Sequence, residues 1–279
     1  MASSEPASKR RRTSGELDPQ PAVVGSSPTV VQPTEEPDSG SFVAPKLEEI
    51  PQLLFVELQK DKEEDIVAAL KQLFDLFSPK DKKDKNDPAL KNWEKTKHLG
   101  PPSFVVVNMR KWAPNHYIQL WSCRVLSVLM VCSKNSCSNN SCIAEMATVE
   151  SGGVEAVLNA MKSFPQSEVV IQRACCALRN TFLSLIKRPK VVKDCAARFV
   201  EELEGVAVML QTIKEFPEDT SILEHCCLVF KNLAASFKQH HGMFIDAGVV
   251  EAVASVQKKH SDNEELKEAT KKFMSAMFS

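Results

Sequence analysis

The chain has few of the residues that tight turns and β-sheets need. Only 9 of its 279 residues are glycine, 6% are aromatic, and a single one is tyrosine. Glycine serves turns that require positive φ, and aromatic residues favour strands, so this composition argues against a β-sandwich or barrel. The chain also lacks an apolar run of the roughly 20 residues that cross a bilayer. A formal net charge of −1 gives no overall attraction for nucleic acid or for an acidic membrane surface.

No secretory signal is evident, because the basic residues near the N-terminus are followed by no apolar stretch. The nine cysteines are an odd number, and several of them lie inside helical patterns: Cys123, Cys175, Cys176, Cys226 and Cys227. Buried free cysteine behaves as a small apolar residue, and reduced thiols are usual in the cytosol and nucleus. The sequence therefore predicts a soluble cytoplasmic protein with thiols as core residues.

Three further cysteines, Cys132, Cys137 and Cys142, are each separated by four residues. Structural zinc needs paired cysteines and a fourth ligand, and His116 is the nearest histidine in the sequence. A polar loop with free thiols is the preferred interpretation, and zinc is the alternative. We expect no metal and no cofactor.

Residues 1–45 are rich in Ser, Pro, Glu and Thr, and we predict a disordered tail because they cannot bury enough apolar surface to offset ordering. The one feature of the tail is the basic cluster from Lys9 to Arg12, followed by Thr13 and Ser14. This cluster is typical of a nuclear import signal, of a phosphate-attracting patch, or of a basophilic kinase site. Nuclear localisation is therefore an alternative to a purely cytoplasmic one.

Residues 46–279 read as a helical domain. Apolar residues recur at intervals of three and four in the first part, which predicts an amphipathic helix through Ile66, Leu70 and Phe77. Residues 78–103 are lysine-rich and interrupted by proline, so we predict a long loop there, or at most a short helix around 90–95.

The strongest signal is internal repetition. The segment from Gly153 resembles the segment from Gly205, an offset of 52 residues, with a Phe-Pro pair and an asparagine in register. The same offset extends backwards, and one of 43 or 44 residues extends forwards, so 46–279 holds about five repeats. Each unit combines a short element that ends at glycine, a helix of about ten residues, a turn and a longer helix. Stacked units of this kind predict an all-α solenoid.

Two motifs resemble those of the armadillo family. Residues 177–181 (ALRNT) and 230–234 (FKNLA) are similar to the end of the third armadillo helix, and 151–154 (SGGV) is similar to the turn before its second helix. The resemblance implies a right-handed superhelix of armadillo/HEAT-like repeats. It also implies that Asn180 and Asn232 line a concave groove and hydrogen-bond the backbone of an extended partner segment.

Three residues share the predicted groove face with these asparagines. Arg173 and His225 lie seven residues before Asn180 and Asn232. Trp121 lies seven residues before Val128, which has the equivalent position in the preceding repeat; we call these equivalent positions the asparagine column. Residues seven apart lie on one side of a helix. Tryptophan and arginine are enriched in binding hot spots. The alternative is that Trp121 belongs to the core and the other two are merely solvated.

We therefore predict a non-enzymatic adaptor or scaffold that binds other proteins or extended peptide segments, with neither a small-molecule substrate nor direct contacts to nucleic acid or membrane. No phosphate-binding loop, zinc-protease motif or nucleophile elbow occurs in the sequence. The alternative is a shortened nuclear transport adaptor similar to importin alpha, although Cys176 and Leu228 occupy the positions of its groove tryptophans. A regulatory subunit of an enzyme is a third hypothesis, and it differs from the first only in the partner.

Overall fold

The computed structural model describes residues 50–279 apart from 81–83, 85, 137–142 and 186–193. The predicted tail, residues 1–45 with its basic cluster, lies outside these residues, as do Cys137 and Cys142. Across the described part of the chain the regular structure is helical, without any strand.

The α-helices, in chain order, are α1 Ile50–Phe55, α2 Glu63–Phe77, α3 Pro88–Thr96, α4 Pro101–Lys111, α5 His116–Ser136, α6 Ile143–Glu150, α7 Gly153–Ser163, α8 Glu168–Leu185, α9 Gly205–Glu215, α10 Thr220–Ser236, α11 His241–Asp246, α12 Val249–Lys259 and α13 Glu264–Phe278. The 3-10 turns Glu57–Gln59, Lys97–Leu99 and Lys238–His240, and the π-helical turn Arg198–Glu202, lie between them.

The helices stack in two rows. In the long-helix row, α2, α5, α8, α10 and α13 follow one another, and each packs against the next. In the short-helix row, α4, α7, α9 and α12 do the same. Because every helix contacts its equivalent in the neighbouring repeat, the buried apolar side chains form one continuous core. The predicted all-α solenoid is confirmed.

The repeated glycines have a specific role in this architecture. Gly152 and Gly248 precede short helices with φ values of 77° and 79°, in the left-handed region that glycine adopts without strain. The first residue of α7 and of α9 is also a glycine, Gly153 and Gly205, and neither has space for a side chain. An added Cβ would lie 2.4 Å from the Thr148 side chain in the first case and 2.5 Å from the Phe199 ring in the second.

The Phe-Pro pairs explain where the short helices end. Phe164 and Phe216 are the C-terminal caps of α7 and α9, and each has left the helical conformation. The following proline disfavours an α conformation in the residue before it. The last two long helices begin at capping side chains: Asp219 accepts from the backbone N–H of Ile222 and Asn263 from that of Leu266, both at 2.9 Å.

The structure corrects the predicted loop at 78–103. Its second half contains α3, a 3-10 turn and the start of α4. The Asp87 side chain caps α3 by accepting from the backbone N–H of Ala89 at 2.8 Å, and Pro88 occupies the first turn, where proline is tolerated. Leu90 and Trp93 are buried, so α3 is an amphipathic helix whose lysines face solvent.

The register of the last repeat, which the sequence left open between 43 and 44 residues, is 44. Asp219 and Asn263 are equivalent caps of the last two long helices and lie 44 positions apart. The same spacing relates Glu204 to Gly248, which precede α9 and α12 with positive φ. The asparagine column therefore reaches Ala276 in α13.

Candidate protein-interaction surface

Trp121, Arg173 and His225 occupy equivalent turns of α5, α8 and α10. All three are half-buried, whereas the residues that point between the helices are buried. One turn further along these helices, Cys176 and Leu228 are also half-buried. The prediction that the column shares one side of neighbouring long helices agrees with these positions, whereas its role in binding stays a prediction.

Asn180 and Asn232 lie deeper than this column, with exposed fractions of 7% and 3%. The Asn180 Nδ2 donates to Ser127 Oγ at 3.0 Å and to the Ser127 carbonyl oxygen at 3.3 Å. The Asn232 Nδ2 donates to the Arg179 carbonyl oxygen at 3.2 Å. Each amide thus joins its own long helix to the preceding one. We call these contacts the asparagine bridges; the predicted contact of both asparagines with a partner backbone stays a prediction.

A basic residue precedes each asparagine and covers its amide oxygen. Arg179 Nε donates to Asn180 Oδ1, and Lys231 Nζ donates to Asn232 Oδ1, both at 3.3 Å. Sequence reasoning missed these two residues. The sequence did contain the signal, because Arg179 and Lys231 each stand directly before the asparagine that aligns between the two repeats.

Arg179 also connects α8 to the imidazole of the predicted column. Its Nη1 lies 3.4 Å from His225 Nδ1 and 4.0 Å from Glu224 Oε1. The pKa of His225 is lowered to about 4, first by burial and then by the positive charges of Arg179 and Arg173. At neutral pH His225 is therefore uncharged, and its ring can accept the Arg179 hydrogen bond.

Basic groups accumulate towards the C-terminal end of the long-helix row. Burial lowers the pKa of Lys231, and the nearby ammonium group of Lys272 on α13 lowers it further. Like charges depress the pKa of an ammonium group because they disfavour its charged form. Basic side chains of α8, α10 and α13 thus lie near the asparagine bridges, where Lys272 is also paired with Glu268 at 3.3 Å.

Trp121 lies in an aromatic and cationic cluster at the other end of the row. The Trp121 ring centroid is 5.7 Å from the Phe74 ring. Lys71 Nζ and the Arg124 guanidinium carbon lie 5.4 Å and 4.5 Å from the Trp121 centroid. These distances are within the range of cation–π attraction, so part of the Trp121 ring already faces cations of its own chain.

The cysteine predictions hold for most of the described thiols. Cys123, Cys175, Cys226 and Cys227 are buried core residues, whereas Cys176 is half-buried. Cys132 was predicted to lie in a polar loop; it is instead a buried residue of α5 that donates to the Phe77 carbonyl oxygen at 3.1 Å. Within the described ranges, no three His, Cys, Asp or Glu side chains are grouped so that they could hold a metal ion. Among those same residues, no helix is long and apolar enough to cross a membrane.

A stack of helical repeats, with long helices packed on long helices and short helices on short ones, defines an armadillo-type solenoid. Residues 102–278 match the family described as the LRRK2 ARM repeat. This match covers more than half of the chain, and the chain belongs to this ARM repeat family.

Among solved structures, the chain is similar to two engineered proteins determined by the Northeast Structural Genomics Consortium. The first is 16% identical, with a TM-score of 0.48, over 82% of this chain and 96% of that protein. The second is 14% identical, with the same TM-score, over 82% of this chain and 98% of that protein. No curated protein sequence matches the chain.

Proposed function

We propose that this protein is a non-enzymatic adaptor that binds a segment of another protein along its long-helix row. The observation that carries the proposal is the alignment of Trp121, Arg173 and His225 at half-buried positions of three adjacent helices. Half-buried aromatic and arginine side chains already have restricted conformations, so a partner loses little entropy in ordering them. Membership of an ARM repeat family supports a scaffold role.

The charge of this surface favours an acidic partner segment. Along the middle turns of α8 and α10 lie Arg173, Arg179 and Lys231, and Glu224 is the acidic residue of the same turns. Lys272 of α13 is a further basic residue close to Lys231, although it is paired with Glu268 at 3.3 Å. A partner with carboxylates at matching intervals would form charge-assisted hydrogen bonds and would be steered towards the surface.

The charge of this surface disfavours the alternative function, a shortened import adaptor that reads lysine-rich signals. Its cargo would bring ammonium groups to a surface that already carries Arg173, Arg179 and Lys231, and like charges repel. Cys176 and Leu228 offer no aromatic ring on which a lysine side chain could stack. A regulatory subunit of an enzyme remains compatible with the adaptor proposal, because the same surface would bind the catalytic partner.

We propose the cytoplasm as the location of the protein. Entry into the nucleus through the cluster from Lys9 to Arg12 is the second location to test, by imaging a fluorescent fusion with and without these four residues. Loss of a nuclear fraction on deletion would assign the cluster to import, and an unchanged distribution would remove that role.

The partner-binding test uses the full chain and fluorescein-labelled peptides of three kinds: acidic, lysine-rich and uncharged. Fluorescence anisotropy is measured for the wild type, for Arg173→Glu/Lys231→Glu, and for Lys258→Glu as the control on the exposed side of α12. We expect the acidic peptide to bind the wild type and the control equally. The double variant should bind it at least about tenfold more weakly, because reversing two charges removes more than about 1.4 kcal/mol.

Two results would reject the proposal. Preferential binding of the lysine-rich peptide would favour the import adaptor, and equal binding by the double variant would place the site elsewhere. Asn180 and Asn232 are poor choices for this test, because alanine there breaks the asparagine bridges as well as any partner contact. The double variant is instead expected to leave the helix content measured by circular dichroism unchanged.

A further inference from the structure

Two large apolar side chains are exposed in the first turns of neighbouring long helices. Tyr117 of α5 is 43% exposed, and Val169 of α8 is 45% exposed. Each is the second residue of its helix, and the second residues of the last two long helices are the polar Ser221 and Glu265. The same position along the row is therefore apolar in two adjacent repeats and polar in the two that follow.

Tyr117 and Val169 belong to one surface, because the first turns of α5 and α8 lie against each other. His116 Nε2 is 2.7 Å from the hydroxyl oxygen of Ser167, the residue directly before α8. The His116 ring lies edge-to-face with the rings of Tyr117 and Phe164, at centroid distances of 5.4 Å and 5.3 Å. We call Tyr117, Val169, His116 and Phe164 the first-turn patch.

The side chains of the first-turn patch are uncharged and partly ordered. Burial lowers the pKa of His116, so its imidazole is neutral at neutral pH. The ring contact with His116 restricts Tyr117 before any partner binds, which reduces the entropy lost on binding. Contiguous exposed apolar surface of this kind marks an interaction site more often than isolated apolar residues do.

The first-turn patch borders the column on which the proposed function rests. Trp121 and Arg173 follow Tyr117 and Val169 by four residues, so each pair lies on the same side of its helix. Four residues of helix rise about 6 Å. An extended chain covers that distance in about two residues, at 3.3–3.6 Å each.

Charged groups differ between the two sides of the patch. Arg173 lies on the side towards the middle of α8, and the Arg124 guanidinium carbon is 4.5 Å from the centroid of the Trp121 ring. On the other side, the exposed Glu168 begins α8. Because like charges repel, a bound chain places its carboxylates towards Arg173 and away from Glu168. This charge complementarity favours an occupant whose apolar residue has acidic neighbours on one side.

We infer that the partner segment carries an aromatic or aliphatic residue about two residues from its carboxylates, and that this residue binds the first-turn patch. The inference rests on the proposed function and adds an apolar anchor to it. Charge steers the encounter and selects the partner, whereas burial of the anchor supplies affinity and fixes the register of the segment.

Fluorescence anisotropy of the full chain with four labelled peptides tests the inference. Two peptides carry a phenylalanine before or after a run of glutamates, because the side chains do not fix the direction of the bound chain. Serine replaces the phenylalanine in the other two. We expect the wild type to bind the better phenylalanine peptide at least about fivefold more tightly than its serine counterpart, since burial of an aromatic side chain is favourable. Apolar burial is not screened, so this ratio should be equal at low and at high salt.

Two variants show whether the first-turn patch provides this preference. Tyr117→Ser/Val169→Ser should abolish the preference for phenylalanine and leave the affinity for the serine peptides unchanged. Val107→Ser, at a 59% exposed valine of α4, should keep the preference. All three positions are exposed, so circular dichroism should show the same helix content in both variants as in the wild type.

The outcomes separate this inference from the proposed function. A preference that survives in Tyr117→Ser/Val169→Ser would overturn the apolar anchor. Equal binding of the phenylalanine and serine peptides by the wild type would also overturn it, and the proposal of an acidic partner segment would stand. Absence of binding to all four peptides would overturn both.

Photo-crosslinking locates the anchor by an independent readout. The photoreactive residue p-benzoylphenylalanine replaces the phenylalanine of the tighter-binding peptide, and the linked residues of the full chain are identified by mass spectrometry. We expect links to the peptides that contain Tyr117 or Val169. Links confined to α4 or α12 would place the apolar residue on the short-helix row and contradict the inference.

Discussion

Replacing Asn232 by alanine tests whether the asparagine bridges hold neighbouring repeats together. The Asn232 side chain is 3% exposed and donates to the Arg179 carbonyl oxygen across the α8–α10 interface. The substitution removes this hydrogen bond, strands the Lys231 ammonium that donates to Asn232 Oδ1, and leaves a small void. A buried neutral hydrogen bond contributes about 0.5–1.5 kcal/mol, and the lost packing adds to it, so we expect a loss of about 1.5 kcal/mol.

This loss is measurable by thermal unfolding. For a folded region of about 200 residues, 1 kcal/mol shifts the Tm by about 2–4 °C, which predicts a decrease of about 3–6 °C. The measurement is circular dichroism at 222 nm during heating of the full chain. The matched control is Asn159→Ala, the same chemical change at an exposed position of α7, where alanine's higher helix propensity predicts an unchanged or slightly higher Tm.

The outcome separates the two roles that Asn232 has been given. A lower Tm for Asn232→Ala than for Asn159→Ala would assign the amide to the bond between repeats. Equal Tm values, together with loss of binding to an acidic peptide, would refute the structural reasoning. They would show that the amide is available to a partner, as the armadillo resemblance implies.

Four further predictions concern single residues. Lowering the pH from 6.5 to 5 should reduce the unfolding free energy of the wild type by about 1–2 kcal/mol, and His225→Gln should not show this loss. The reason is that the unfolded imidazole, with a pKa near 6.5, takes up a proton, whereas the folded one, with a pKa of about 4, does not. Equal pH dependence of the two proteins in urea titrations would contradict this. Gly248→Ala should destabilise by about 1 kcal/mol in the same titrations, since its φ is 79° and the nearest atom to an added Cβ is 4.0 Å away, so backbone strain acts alone. Glu204→Gly should be stabilising, because Glu204 has a φ of 56° at the equivalent position, and a fall in its Tm would count against the argument. Iodoacetamide should modify Cys176 before the other described cysteines, which are buried, and peptide mapping that found Cys226 modified first would disprove this order.

Much of the fold was predictable because the residues that recur between repeats each have a local physical role. Gly153 and Gly205 are in register because helices approach too closely for a side chain. Phe164-Pro165 and its counterpart are in register because they end equivalent helices. Such positions permit few alternatives, so they remain recognisable where the core residues between them have changed.

The second half of 78–103, predicted as loop with at most a short helix around 90–95, is more helical than expected, and the reason is equally physical. Three of the residues from 88 to 99 are lysine, which lowers the mean hydropathy of the segment below that of a typical helix. Only a narrow stripe including Leu90 and Trp93 is buried against the core. A stripe this narrow gives a weak periodic signal, whereas the Asp87-Pro88 start of the helix was readable.

The depth of the asparagines could not be derived from spacing alone. A separation of seven residues places Asn180 and Arg173 within about 20° around the helix axis, so both were expected on the same exposed side. Their difference arises from the neighbouring helix. Asn180 lies against Ser127 of α5, and that contact exists only once the helices have been stacked.

The asparagine bridges and the basic surface beside them form one arrangement. The amide nitrogen of each asparagine donates to the preceding helix, so its amide oxygen needs a separate hydrogen-bond donor. In both repeats the residue before the asparagine, Arg179 or Lys231, supplies that donor. Arg179 and Lys231 are thereby held at the edge of the interface, and the positive charge of Arg179 contributes to the low pKa of His225. The amides that stabilise the stack therefore also position the basic side chains. A partner on this surface would be recognised mainly by charge and ring contacts, whose strength depends on the ionic strength of the solution.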